Sequence, residues 1–153
     1  MTVTMVQVRA ALDPEEPDYE QAAQLGPEAI PHLEELVGET DALLASKAAY
    51  TASLIEDPRS ADILRKAAAS DRAEVRSAAA GGASNLSPSA ASDVLQPLLT
   101  DRDVSVRKVA LKSVPEEAPS GLQATIQSLS EADSNPAIRE LSSQVADRLG
   151  RSG

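Results

Sequence analysis

The sequence predicts an all-α fold: a right-handed α-solenoid of about four antiparallel helix pairs with a helical N-terminal cap. Three observations support it. A short motif recurs with a period of about 31 residues, prolines mark regularly spaced helix starts, and no stretch keeps the alternation of a strand. With 153 residues, the chain has the size of one domain. We therefore assign 1–153 to one domain, with acidic capping helices over 1–24, repeats over 25–149 and a flexible tail over 150–153.

The repeating motif is an acid followed by an apolar residue and an arginine. Its apolar residues are Val75, Val106 and Ile138, which lie 31 and 32 residues apart. The same spacing counted back from Val75 reaches Leu44, where Ala45 replaces the arginine. The first unit is therefore degenerate, as terminal repeats often are.

Prolines and apolar spacing set the predicted helix boundaries. Four prolines stand where a helix can begin, and three of them follow a favoured N-cap residue, as in Asp57-Pro58. Pro31 either kinks its helix or delays the start, because proline is not accommodated in a helix interior. The predicted helices span 3–12, 18–25, 28–37, 41–55, 59–69, 72–85, 89–99, 103–114, 120–131 and 136–149.

These features carry a family resemblance. The two-helix period, the segment Leu25-Gly-Pro-Glu-Ala-Ile-Pro-His-Leu-Glu-Glu-Leu-Val37 and the Asp then Val-Arg signature resemble HEAT repeats of the short bacterial type, over roughly 18–149. The resemblance implies a scaffold or adaptor, since HEAT arrays serve many unrelated partners. It also implies that the recurring Asp caps the second helix of each pair and that the Arg hydrogen-bonds the neighbouring unit. The structural repeat residues are Asp71, Arg76, Asp101, Arg107, Asp133 and Arg139.

Composition restricts both the core and the partner. The chain lacks Cys, Phe and Trp, so the core must consist of Ala, Leu, Val and Ile, and no thiol chemistry is available. The net charge is −10, and residues 1–41 hold ten acids against one base. Nucleic-acid binding relies on a basic face that releases counterions, so we expect no nucleic-acid partner. The acidic segment is either a solvated surface or a docking surface for a basic partner.

The residues available for catalysis predict no enzyme, no cofactor and no metal. His32 is the single histidine, so the several His-Glu pairs that hold two irons in HEAT-like deoxyhypusine hydroxylases are absent, and we expect a partly exposed helix residue there. HEAT-like DNA glycosylases use basic and aromatic residues on the concave face, and this chain has no Trp or Phe. No Gly-x-Ser-x-Gly elbow accompanies the serines. The pair Gly81-Gly82 lies inside a predicted helix, which leaves two explanations open: close packing or a kink, and room for a partner's side chain.

The second helices of the stacked pairs are expected to line one continuous face, which in solenoids is normally the concave, partner-binding face. Positions two and six residues beyond the repeat frame form a mixed polar row. Tyr50 is the best single contact, because tyrosine offers a large rigid surface with a polar tip. The alternative that Tyr50 only covers the N-terminal end of the core stays open. The candidate partner-binding residues are Tyr50, Ser77, Gly81, Lys108, Lys112 and Gln144.

The functional prediction is a non-enzymatic adaptor or scaffold that binds another protein, one with a basic surface if the acidic segment takes part. Two alternatives stay open: a self-oligomerising structural subunit, and an accessory protein of a chromophore-lyase-like HEAT type that assists an enzyme. The sequence has neither a signal-like N-terminus nor an apolar run of membrane-spanning length, so we expect a cytoplasmic protein with no membrane partner. We expect a monomer or a weak homo-oligomer.

Overall fold

The computed structural model describes residues 2–152, with side chains over 2–151. Within that part of the chain, ten α-helices and one 3-10 turn form the regular structure, and no strand is found. The prediction of an all-α fold is confirmed. The helices are α1 (Met5–Leu12), α2 (Tyr19–Ala23), α3 (Ile30–Val37), α4 (Ala42–Ser53), α5 (Pro58–Ala68), α6 (Ala73–Ala83), α7 (Pro88–Leu98), α8 (Val104–Lys112), α9 (Ser120–Ala132) and α10 (Pro136–Ser152).

The helices form two layers. One layer contains the first helix of each pair, α3, α5, α7 and α9, and each packs on the next. The other layer contains the second helices, α4, α6, α8 and α10, which also pack in chain order. The short helices α1 and α2 lie against α3 and α4 at one end. This arrangement of helix pairs with a helical N-terminal cap is the one that the repeat period predicts.

Local capping explains several helix starts, and the boundaries match the predicted ones to within two residues except at the end of α10, which lies three residues beyond the prediction. Asp57 caps α5 and Ser87 caps α7, each directly before a proline at the first helical position. Pro31 delays a helix start, because a 3-10 turn over Pro27–Ala29 precedes α3 and places Pro31 in the first turn. At the other end, α10 continues through residues 150–152, so these do not form the expected flexible tail. Met1 and Gly153 lie outside the described residues.

Small side chains allow the second helices to approach closely. The buried face of α4 consists largely of alanines, and so does that of α6. A methyl group added to Gly82 would lie 3.0 Å from Ser53 Cβ and 3.3 Å from Leu64 Cδ2. At Gly81 the nearest such atom is Val109 Cγ1, at 3.9 Å. Close packing therefore explains Gly82, whereas Gly81 has room for a side chain.

Two ion pairs connect successive helix pairs. Arg76 on α6 donates from Nε and Nη2 to the Asp101 carboxylate, at 2.8 and 3.1 Å, and Arg107 on α8 approaches Asp133 with Nε at 2.9 Å and Nη2 at 3.2 Å. All four side chains are nearly buried, with exposed fractions of 7% and 8% in the first pair and 12% and 5% in the second. We call the contact between successive helix pairs a junction and number the junctions along the chain. The predicted link through arginine is therefore present at the second and the third junction.

The capping role expected of the recurring aspartates is wrong. Helix α8 is capped by Asp103, and the amide groups at the start of α10 donate to Asn135 Oδ1. Asp101 and Asp133 stand two residues earlier, where each accepts the N–H of the capping residue and the arginine of the preceding pair. Their carboxylates are thus committed to the turn and the junction, and they do not reach the helix N–H groups.

Asp71 does not belong to this series. Its side chain is 94% exposed, and its carboxylate lies 3.8 Å from Arg72 Nε. The residue in the position of Asp101 is Ser70, whose Oγ accepts the Arg72 N–H at 3.2 Å and whose carbonyl accepts Arg76 Nη1 at 3.0 Å. Ala45 on α4 stands at the repeat position that Arg76 and Arg107 occupy on the later second helices. The first junction therefore lacks both charges together, which leaves no buried charge unpaired.

The two adjacent glycines of α6 provide a matched test of packing. Gly81→Ala should raise the free energy of unfolding by about 0.5–1 kcal/mol through helix propensity. Gly82→Ala gains the same propensity but must displace Ser53 and Leu64, and such overpacking costs about 1–3 kcal/mol, so the variant should be less stable than the wild type. Urea denaturation followed by circular dichroism measures both. Equal stability of the two variants would contradict the close approach at Gly82.

Breaking the Arg76–Asp101 ion pair should cost more stability than replacing both of its residues. Arg76→Leu leaves the Asp101 carboxylate buried and unpaired, so we expect a loss of about 3–5 kcal/mol. Adding Asp101→Ser removes the unpaired carboxylate and introduces the residue that Ser70 provides at the first junction, so it should recover most of that loss. Urea denaturation of the single and double variants measures the recovery, and a double variant no more stable than Arg76→Leu would contradict the pairing argument.

The same pair predicts a pH dependence. Burial opposes ionisation of Asp101, but the Arg76 hydrogen bonds and charge outweigh it and hold the pKa of Asp101 below its usual range. A carboxyl whose pKa is lowered by folding stabilises the protein above the unfolded pKa of about 3.9, and that contribution disappears as the pH falls further. The stability of the wild type should therefore decline below about pH 4 more steeply than that of the Arg76→Leu, Asp101→Ser variant. Parallel pH profiles would show that the pair contributes nothing.

Candidate partner-binding face

The predicted partner-binding residues all lie on the second helices and retain access to solvent. Tyr50 is on α4, Ser77 and Gly81 are on α6, Lys108 and Lys112 are on α8, and Gln144 is on α10. Five of the six line two depressions, which we call the N-terminal and the C-terminal depression.

The N-terminal depression has a volume of about 410 Å³ and lies between α2, α4 and α6. The C-terminal depression has a volume of about 270 Å³ and lies between α8 and α10. Lys108 is exposed on α8 and lines neither. The N-terminal depression is lined by Tyr19, Leu43, Ser46, Lys47, Tyr50, Glu74, Ser77, Ala78 and Gly81, and the C-terminal depression by Leu111, Lys112, Leu141, Gln144, Val145 and Arg148.

An aromatic pair forms one wall of the N-terminal depression. The rings of Tyr19 and Tyr50 meet edge to face, with centroids 5.0 Å apart and an angle of 75° between planes. Such pairs contribute about 0.5–1.5 kcal/mol beyond the area they bury. Both tyrosines are half-buried, so Tyr50 packs against the cap and still lines the depression. Sequence reasoning missed Tyr19, although it is the only other aromatic residue among Phe, Tyr and Trp.

The rim of this depression carries an exposed apolar residue. Leu43, in the first turn of α4, is 61% exposed. Large apolar side chains are rarely this exposed in the protein, and Leu43 is accompanied at the same depression by Ala78 and Gly81. Most of the surface that a partner would meet here is therefore apolar, with Glu74 as an acidic group at its edge.

A buried lysine holds the cap in place. Lys47 on α4 is 7% exposed, and its Nζ donates to the carbonyl oxygens of Leu12, at 3.0 Å, and Pro14, at 2.8 Å. Leu12 ends α1, where helix carbonyls lack intrahelical partners. The ammonium group therefore fixes the segment between α1 and α2, and through it the position of Tyr19. Lys47 also lines the depression, but its hydrogen bonds point to the cap.

The single histidine also serves the N-terminal segment. His32 is half-buried on α3, and its Nε2 lies 2.9 Å from the carbonyl oxygen of Val3. The prediction of a partly exposed helix residue is confirmed. Among the described side chains, no group of three or more His, Asp or Glu residues is placed to hold a metal ion.

A larger depression lies away from this face. It has a volume of about 750 Å³ and follows the turns between α4 and α5 and between α6 and α7. Asn85 donates to Ser53 Oγ at 3.0 Å along its edge. Asp57 lies there too, and the hydrogen bonds from Arg59 lower its pKa to about 2. Asp57 and Asn85, two polar residues of this lining, thus already have hydrogen-bond partners.

Comparison with known proteins establishes the fold. No family model and no curated protein sequence matches this chain. A solved structure does: one chain in the complex of CpcE and CpcF of phycocyanin lyase from Nostoc sp. PCC7120 is 22% identical, over 92% of this chain and 96% of that chain, with a TM-score of 0.72. The fold is a HEAT-like helical repeat. At this level of identity the likeness concerns the fold alone.

The comparison also corrects one prediction. We expected no enzyme, because the chain has no nucleophilic elbow, no phosphate loop and a single histidine. That prediction is wrong, because the similar chain, which has the same fold, belongs to a lyase. The inference failed because it looked for a complete catalytic set in one chain, whereas the similar lyase is a complex of two proteins.

The structure also bears on membrane association. Among residues 2–152, no helix combines the length and the apolar character required to cross a bilayer. The longest helix, α10, carries several charged residues, among them Arg139, Glu140 and Asp147.

The raised pKa of Tyr19 provides a test of the aromatic pair. Burial, and secondly the neighbouring Tyr50, raise the pKa of Tyr19 above the ordinary value of about 10. Tyr50→Phe removes the smaller cause, so the Tyr19 transition should move down but stay above about 10. In Tyr50→Phe the tyrosinate absorbance during an alkaline titration comes from Tyr19 alone, since the chain has two Tyr and no Trp. A parallel titration of Tyr19→Phe allows the other tyrosine's signal to be subtracted from the wild-type curve. A Tyr19 transition that does not move on Tyr50→Phe would contradict the packing of the two rings.

Proposed function

We propose that this chain is a HEAT-repeat subunit of a chromophore-lyase-like complex, in which it holds a protein partner on the face formed by α4, α6, α8 and α10. One observation carries the proposal: the likeness to a chain of a two-protein lyase complex extends over nearly the whole of both chains. We infer membership of the HEAT family, of the short bacterial type, on the same ground.

The geometry of the face supports a protein partner. Protein interfaces are enriched in tyrosine and in depressions that accept a partner's side chains. Both features occur on the second helices, with Tyr50 in the N-terminal depression and Lys112 in the C-terminal one. The two depressions are shallow and open to solvent, which suits a surface that a second protein covers better than a site that encloses a small molecule.

Affinity capture from the native host tests the proposal. The wild type should retain one protein in a fixed ratio, and Tyr50→Ala with Lys112→Glu should lose it, because both depressions are altered. Lys66→Glu is the matched control, since it reverses an exposed lysine on α5, in the other layer. Mass spectrometry and a sizing column measure the captured complex, after circular dichroism has shown that each variant folds.

The outcomes separate the parts of the proposal. A partner that persists in the double variant would show that the face is wrong, and capture of no protein would overturn the subunit role. The visible absorbance of the captured complex tests the lyase-like part. Colour that stays on a protein after denaturation is the expected result, whereas a complex without colour would remove the chromophore from the proposal.

A further inference from the structure

The N-terminal depression has the chemistry of a receptor for a single side chain. Its walls are two tyrosine rings and its rim includes Leu43, while Gly81 leaves the floor open. A volume of about 410 Å³ falls in the range of roughly 300–1,000 Å³ that ligand pockets occupy, but this one is wide open. A small molecule would keep much of its surface in water here. A side chain that is part of a larger partner would not, because the rest of the partner covers the opening.

Acidic residues near the depression favour a partner with basic residues beside the bound side chain. Glu74 lines the depression, and Asp18 and Glu20 stand on either side of Tyr19 in the chain. The cap that supplies Tyr19, residues 1–24, holds five acids and one base. The one cation in the lining, Lys47, is buried and bonded to two carbonyl oxygens, so it offers little to an anion. A partner with lysine or arginine near its anchor would be attracted, and an acidic one would be repelled.

Three parts of the chain build the depression. The cap contributes Tyr19, the first repeat contributes Leu43 and Tyr50, and the second repeat contributes Glu74 and Gly81. Lys47 fixes the cap against α4, so the tyrosine pair is formed before a partner arrives. A preformed site loses less conformational entropy on binding than one that must assemble.

We propose that the N-terminal depression receives one aromatic or large aliphatic side chain from a partner segment whose neighbouring residues are lysine or arginine. This assignment refines the proposed function by giving the chemistry of the partner, and it rests on that proposal only for the identity of the partner. The binding itself requires no other component.

Synthetic peptides test the anchor and the charge separately. The probe is a nine-residue peptide, Gly-Lys-Lys-Ala-Trp-Ala-Lys-Lys-Gly. One control replaces its four lysines with glutamate, and the other replaces its tryptophan with glycine. The protein contains two tyrosines, both at the depression, and no tryptophan. Energy transfer from these tyrosines to the peptide tryptophan therefore reports binding at this site. Fluorescence anisotropy of end-labelled peptides measures all three.

We expect the probe to bind saturably and both controls to bind at least about tenfold more weakly. Binding of the glutamate peptide as tight as that of the probe would overturn the charge part. Equal binding of the glycine peptide would overturn the anchor part. Absence of saturable binding by the probe would overturn the proposal as a whole.

A filling substitution tests the location. Gly81→Leu should occupy the floor of the depression and weaken the probe by about tenfold or more, while both tyrosines remain as reporters. Gly121→Leu is the matched control: it lies in the first turn of α9, where an added carbon meets no atom within 4 Å, and it should change the affinity less than about twofold. Equal affinity of the two variants, with folding confirmed by circular dichroism, would overturn the assignment.

The same variants separate this inference from the proposed function. If the probe binds as expected but the host yields no partner, the depression stands and the subunit role fails. If a host partner is captured and survives Gly81→Leu but is lost with Lys112→Glu, the partner uses the C-terminal depression. The subunit role then stands and this inference fails.

Discussion

The close approach of the second helices is the constraint on which most of this structure depends. Without Phe or Trp, the core is filled by Ala, Leu, Val and Ile, and the helices must come together to leave no voids. Gly82 marks the tightest point, where even one methyl group would meet Ser53 and Leu64. With its large side chains kept out of the helix contacts, α4 can present Leu43 and Tyr50 at its solvent face. The N-terminal depression is the product of that arrangement.

Buried charge is the second organising feature. At two junctions an arginine and an aspartate are buried as a pair, and at the first junction both are replaced, by Ala45 and Ser70. Because a buried pair is often close to neutral compared with uncharged residues, while half a pair costs several kcal/mol, joint loss is the tolerable change. The paired positions also accept turn N–H groups, so each junction fixes the entry of a second helix as well as its neighbour.

The site and the fold are related through the cap. The buried ammonium group of Lys47 donates hydrogen bonds to two carbonyl oxygens of the cap. The cap contributes Tyr19 to the lining of the depression, which α4 and α6 alone would leave incomplete. The similarity to a chain of a two-protein lyase complex concerns the fold, and fold and chemistry are separable.

The sequence by itself determined the helices and their pairing. Caps and prolines act over three or four residues, so Asp57-Pro58 and Ser87-Pro88 could be assigned from local pattern, and the 31-residue period implied the two layers. Contacts across layers and loops were decided by the tertiary structure. Asn135 before Pro136 was a favoured N-cap residue in the sequence, but the cap at Asp103 was not predicted, because the loop geometry before each helix commits Asp101 and Asp133 to the neighbouring pair.

The contact between the two tyrosines also depends on the tertiary structure. Tyr19 and Tyr50 are 31 residues apart in the chain, so the repeat period places them at equivalent positions, but it does not predict that their rings meet. Their meeting depends on where the cap packs, which Lys47 sets through two carbonyl oxygens whose positions follow from the folded loop. Local sequence fixes the dihedral angles of each helix, but only the packed chain decides which side chains from distant helices share one surface.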